Sequence, residues 1–178
     1  MASFFTILLI GISLSMDAFS LALVYGMIGI SNKQKILLSI IVGIYHFLMP
    51  LIGLKFGLFI DSISFINLNI ISSIILIYIG IDLIVSNFKE DGTLIISLLG
   101  FIMFGLSVSI DSLTVGIGLK AITNGYLLSA IIFSLSSLIF TYLGLILGNS
   151  IGKRIGKYAK LFGGITLIII AIILFISH

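Results

Sequence analysis

Two aspartates lie inside long apolar stretches of the chain, Asp17 and Asp111. Both belong to nearly the same phrase, S-x-S-x-D-x-x-[S/T], and they are 94 positions apart. A carboxylate near the middle of a bilayer costs at least about 2.5–3.5 kcal/mol, so such residues usually serve a function. The two aspartates are therefore the first candidates for a functional site.

Hydroxyl side chains accompany both aspartates, because positions i, i+4 and i+7 of a helix share one side. The two resulting stripes are Ser13, Asp17 and Ser20, and Ser107, Asp111 and Thr114. Oxygen-rich sites built on carboxylates suit divalent cations such as Mg, Ca and Mn. The alternative role for these hydroxyls is close helix packing or bonding to their own backbone.

Four further residues are candidates for the same site. Met16 and Met49 each offer a thioether that would favour Mn over Mg and Ca, or they are packing residues. His46 is a polar side chain in mid-span, beside Pro50, which frees the His46 carbonyl for a cation or marks a kink. The sequence leaves three roles open for Asp82: a metal ligand, a gate residue, or the partner of a cytoplasmic lysine.

The composition indicates an integral membrane protein. Hydrophobic residues make up 60% of the 178 positions and charged residues 8%, far from the quarter typical of soluble domains. Cysteine is absent, which excludes disulfides and thiolate metal sites. The net charge of +3 comes from residues at segment ends and does not indicate nucleic-acid binding.

Six stretches are long enough to span a membrane as helices of about 20 residues. We expect an all-α membrane bundle, with the first span retained rather than cleaved as a signal peptide. The spans are 3–27, 36–59, 66–88, 94–119, 126–150 and 158–177. Lysines and arginines concentrate on one side of this arrangement, which predicts that both termini lie outside.

An internal repeat accompanies the aspartate phrase. The second and fifth spans both contain G-L-x-x-G, starting at Gly53 and Gly144. We therefore divide one compact membrane domain into three-helix halves, 1–90 and 91–178. An odd number of spans inverts the second half, as in transporters whose site lies near the midplane. The inversion would bring Asp17 and Asp111 towards each other.

Four phrases resemble the bacterial manganese efflux pump family, in order and over almost the whole chain. They are Met16–Phe19, His46–Gly53, Ser109–Gly116 and Lys157–Gly164. The resemblance implies export of Mn(II) across the plasma membrane, with both motif aspartates essential and with Mn(II) as the substrate and no cofactor. Departures at Tyr25, Asp82 and Ser112–Thr114 leave the metal open and admit a related sporulation-type membrane protein.

The absence of a nucleotide-binding motif favours exchange of the cation for protons, since export against the membrane potential needs a driving force. Other readings remain: an exporter of another divalent cation or of a small solute, and an intramembrane aspartyl protease. The protease is disfavoured because neither aspartate stands in a GxGD phrase. The expected partners are a divalent metal ion, protons and the lipid bilayer, and the sequence leaves the oligomeric state open.

Overall fold

A computed structural model describes residues 4–56, 74, 77–78, 80–81, 84, 98–155 and 159–176. Five helices have defined bounds, and the described residues contain no strand. They are α1 (Phe4–Gly26), α2 (Asn32–Phe56), α3 (Leu98–Ile122), α4 (Tyr126–Ile155) and α5 (Ala159–Ile176). Four of them, α1 to α4, are long and apolar enough to cross a membrane. The prediction of an all-α membrane protein is confirmed at this level.

The six predicted spans are accounted for only in part. The third, 66–88, lies almost wholly outside the described residues, and the sixth corresponds to α5, which is not among the four helices above. Two predicted breaks were placed wrongly, because α2 begins at Asn32 and α4 continues to Ile155.

The early start of α2 has a local cause. The Ser31 backbone N–H donates to Gln34 Oε1 at 2.9 Å, and the Gln34 N–H donates to Ser31 Oγ at 3.4 Å. This reciprocal capping box satisfies two amide groups that would otherwise lack a partner at the helix start. The polar segment 32–35, read as a loop from its hydropathy, is therefore the first turn of α2.

Helix α1 packs against α4 with the two chains running in the same direction. Contacts pair Gly11 with Phe133, Ser15 with Ser137, and Gly152 with Met27, so residue numbers rise together. Glycines bring the two backbones close: a methyl group on Gly148 would collide with the Leu23 carbonyl oxygen. Small residues at such contacts are a usual feature of membrane helix pairs.

Helix α2 packs against α3 in the same manner. Gly105 lies against Tyr45, while Gly116 lies against the Pro50 backbone, so numbers again rise together. A methyl group on Gly53 would collide with the Leu113 carbonyl oxygen. Since the short segment 27–31 reverses the chain between α1 and α2, helices α1 and α3 run in opposite directions.

The outer surfaces of these helices are apolar. On α2 every fourth residue from Ile36 to Ile52 is exposed, and on α4 the same spacing runs from Leu127 to Ile151. Such stripes at helical spacing match surfaces that face lipid, where exposed large aliphatic side chains carry no penalty. The interior instead contains buried hydroxyls and one buried histidine.

Candidate metal site

The structure brings the side chains of Asp17 on α1 and Asp111 on α3 together. The two carboxyl groups lie close enough for their charges to act on one another. Both residues also reach the surface of the bundle, so the pair is open to an incoming ion. Two close carboxylates in apolar surroundings need a proton or a cation between them.

The predicted hydroxyls differ in their surroundings. Ser107, one turn before Asp111, is buried, and its Oγ has no hydrogen-bond partner. Ser13 and Thr114 are exposed, and Ser20 donates to the Met16 carbonyl at 2.9 Å. Such a bond to the backbone of the same helix is the predicted alternative to a ligand role for Ser20.

The methionines also differ from each other. Met16 is 46% exposed beside Asp17 in the chain, so its thioether is free to turn towards an ion. Met49 is partly buried on α2. Neither observation assigns a ligand role.

His46 is fully buried on α2. Its Nδ1 lies 3.0 Å from the Val42 carbonyl, which can only accept, so Nδ1 carries the proton of the neutral ring. The other ring nitrogen, Nε2, then presents a lone pair, and it has no hydrogen-bond partner. A buried polar atom without a partner is uncommon and calls for an explanation.

The described residues contain no group of three or more His, Cys, Asp or Glu side chains that could hold a metal. His46 is therefore not gathered with the aspartate pair. Asp82 lies outside the described residues. Beyond the two aspartates, a complete ligand set for a cation is not assembled in the part of the chain that the structure describes.

One polar contact near the pair was not anticipated. Ser15 Oγ donates to the Gly11 carbonyl at 2.6 Å and lies 3.2 Å from Ser137 Oγ on α4. Ser15 is the second serine of the motif, two residues before Asp17, and both hydroxyls are fully buried. The available signal was the pattern S-x-S itself, whose second serine falls on a different helical side from the aspartate.

The fold defines an all-helical, multi-pass membrane protein. Comparison with known sequences gives the family. The sequence model described as "Putative manganese efflux pump" matches residues 29–175. The chain belongs to the manganese efflux pump family.

Two relatives illustrate the extent of the similarity, both named "Putative manganese efflux pump MntP". The protein of Bacillus licheniformis is 33% identical over 165 residues, 92% of this chain and 89% of its own. That of Desulforamulus reducens is 35% identical over 178 residues, 97% of this chain and 99% of its own. No solved structure matches the chain.

These findings confirm the resemblance and the prediction of a transporter rather than an enzyme. The relatives are named as pumps, so the intramembrane protease is set aside. Manganese is accordingly a transported substrate of this family and not a cofactor.

Proposed function

We propose that this chain exports Mn(II) across the plasma membrane, in exchange for protons, at a site built on Asp17 and Asp111. The observation that carries the proposal is the closeness of the Asp17 and Asp111 side chains, on α1 and α3. A pair with one bound proton carries a single negative charge, and replacing that proton with Mn(II) leaves the two carboxylates neutralised.

Export of a divalent cation against an inside-negative potential costs about 4.6 kcal/mol per 100 mV, at about 2.3 kcal/mol per charge. A proton moving inwards recovers part of that cost. Competition between proton and metal for one carboxyl pair couples the two movements directly. Ser107 is the best-supported further ligand, because its hydroxyl is buried, unpartnered and one turn from Asp111.

The inverted repeat belongs to this proposal, and equivalent contacts support it. Gly144 lies against Ala22, with 3.1 Å from an added methyl group to the Ala22 Cβ. Gly53 lies against Gly116, with 3.2 Å from an added methyl group to its Cα. Ala22 and Gly116 are 94 positions apart, as are the aspartates, and Gly53 and Gly144 begin the repeated G-L-x-x-G.

The inverted repeat makes the site accessible from both membrane faces in turn. Helix α1 pairs with α4 as α3 pairs with α2, while α1 and α3 run in opposite directions. An inverted arrangement presents the same acidic pair alternately to the two membrane faces. We place both termini outside, as the distribution of lysine and arginine predicts.

The experiment is Mn(II) flux in proteoliposomes and manganese tolerance in cells for Asp17→Asn and Asp111→Asn. Either substitution should abolish export, because one neutral amide leaves too little charge for the cation. Ser150→Ala is the matched control, since Ser150 is exposed and bonds only its own helix at Ile146. Export by both asparagine variants at the unsubstituted rate would refute the site.

The same liposomes test the metal and the coupling. Flux of Mn, Fe, Co, Cd, Zn and Ca gives the selectivity, and an internal pH indicator reports proton movement. Mn(II) flux without proton movement, and indifferent to an imposed pH gradient, would refute exchange while leaving the site intact. A metal other than Mn transported faster would correct the substrate.

A further inference from the structure

Three buried aromatic rings pack together where the end of α1 meets the start of α3. Tyr25 of α1 contacts two rings of α3, with centroids 6.4 Å from Phe101 and 5.2 Å from Phe104. All three side chains are at least 96% buried. They lie in the hydrophobic cluster formed by the end of α1 and the start of α3.

These rings stand between the aspartates and one membrane face. Tyr25 follows Asp17 by about 12 Å along α1, and Phe104 precedes Asp111 by about 10 Å along α3, at 1.5 Å per residue. Because α1 and α3 run in opposite directions, both distances point to the same end of the bundle. An ion travelling between α1 and α3 from that end meets the three rings before the carboxylates.

The other direction along α3 is open. Phe104, Ser107, Asp111, Thr114 and Gly118 share one side of the helix, being three or four residues apart. Phe104 and Ser107 are buried, whereas Asp111 and Thr114 are exposed. A side chain added at Gly118 would meet nothing within 4 Å. These exposed positions are small or polar, unlike the Ile and Leu stripes on the outer surfaces of α2 and α4.

We infer that Tyr25, Phe101 and Phe104 form a gate that seals the aspartate pair from the membrane face where α3 begins. The open line past Thr114 and Gly118 gives access from the opposite face. Under the topology proposed above, the sealed face is cytoplasmic and the structure is open to the outside. The inference rests on the proposed transport function, since a gate has meaning only for a moving ion.

The two ends of the bundle differ chemically. Equivalent positions of the internal repeat are 94 residues apart. The positions equivalent to the three aromatic residues hold only aliphatic side chains, namely Ile7, Ile10 and Leu119. These belong to, or pack against, a second hydrophobic cluster at the other end of α1 and α3. The two ends of α1 and α3 thus differ, with aromatic rings at one end and aliphatic side chains at the other.

Cross-linking tests the gate directly, because the natural chain has no cysteine. A short bis-methanethiosulfonate reagent should join the thiols of a Tyr25→Cys/Phe104→Cys protein and hold the gate shut. We expect loss of Mn(II) export on cross-linking and recovery on reduction. The matched control is Gly43→Cys/Leu138→Cys, where α2 meets α4 with 3.3 Å from an added methyl group on Gly43 to the Leu138 Cβ, and export should survive there.

Export that continues through a cross-linked Tyr25→Cys/Phe104→Cys protein would overturn the gate. If the unsubstituted chain exports no Mn(II) in the same vesicles, the proposed function fails instead, and the two failures are distinguishable. The control pair also shows whether joining any two helices stops export, a result that would equally remove the specific role of the three rings.

Thiol labelling gives a measurement that does not depend on transport. In oriented vesicles, a membrane-impermeant reagent should label Gly118→Cys from the face where α3 ends. It should not label Ser107→Cys from the face where α3 begins, until Phe104→Ala is added. Labelling of Ser107→Cys from that face with all three rings in place, unchanged by Phe104→Ala, would also refute the gate.

Discussion

The hydroxyl oxygens of Ser15 and Ser137 lie 3.2 Å apart and join α1 to α4 two residues before Asp17. Ser15 already donates its proton to the Gly11 carbonyl, so Ser137 must be the donor between the helices. The bond helps to fix the helix that carries one of the two aspartates.

Ser137→Ala should reduce the free energy of unfolding by about 0.5–1.5 kcal/mol, a usual value for one hydrogen bond between membrane helices. Reversible unfolding in mixed micelles measures the change. Ser15→Ala and the double variant complete a mutant cycle, in which a non-zero coupling energy is expected. Strictly additive losses would mean that the two hydroxyls do not interact.

Gly148→Ala should destabilise the protein by about 1–3 kcal/mol, because the added methyl group collides with the Leu23 carbonyl and separates α1 from α4. Gly118→Ala is the matched control in the same kind of helix. Its methyl group meets nothing within 4 Å, so the free energy of unfolding should stay level or rise by up to about 1 kcal/mol. Equal effects at both glycines would contradict the close contact.

His46→Leu should lower Mn(II) export less than Asp17→Asn or Asp111→Asn does, because His46 is buried apart from the acidic pair. Stability should hold or improve, since the change deletes a buried ring nitrogen without a partner. Thr141→Val is the control: it also removes a buried unpartnered oxygen, but export should not change. Full export by His46→Leu would reduce His46 to a packing residue.

Added Mn(II) should raise the free energy of unfolding by about 2.7 kcal/mol at a concentration 100 times its dissociation constant. Thermal unfolding in micelles, followed with and without the metal, measures this shift. Asp17→Asn and Asp111→Asn should abolish it, because each removes one carboxylate of the pair. A shift of equal size in both variants would locate the bound metal elsewhere.

The aspartates could be found from sequence because a carboxylate in an apolar stretch is an energetic anomaly. The sequence did not predict which helices pack against each other. Glycines such as Gly26 and Gly148 fit many possible helix pairs, and only the folded chain shows that α1 lies on α4. The separation of His46 from the acidic pair could not be predicted from the sequence for the same reason.

The predicted helix boundaries were wrong where hydropathy was the only guide. The start of α2 is fixed by the exchange of hydrogen bonds between Ser31 and Gln34, which a hydropathy profile does not register. The end of α4 extends to Ile155 because Gly152 still packs against Met27, so the last basic turn remains helical. Both signals are local and both lie in segments whose polarity suggests loops.

The pairing of α1 with α4 has a consequence for biosynthesis. Ribosomes add about 5–20 residues per second, so the partner of α1 is completed several seconds after α1 itself enters the membrane. During that interval the glycine-lined side of α1 and the carboxyl group of Asp17 have no α4 or α3 to pack against. The nascent chain must therefore be sheltered by the insertion machinery or by lipid until the second acidic helix arrives.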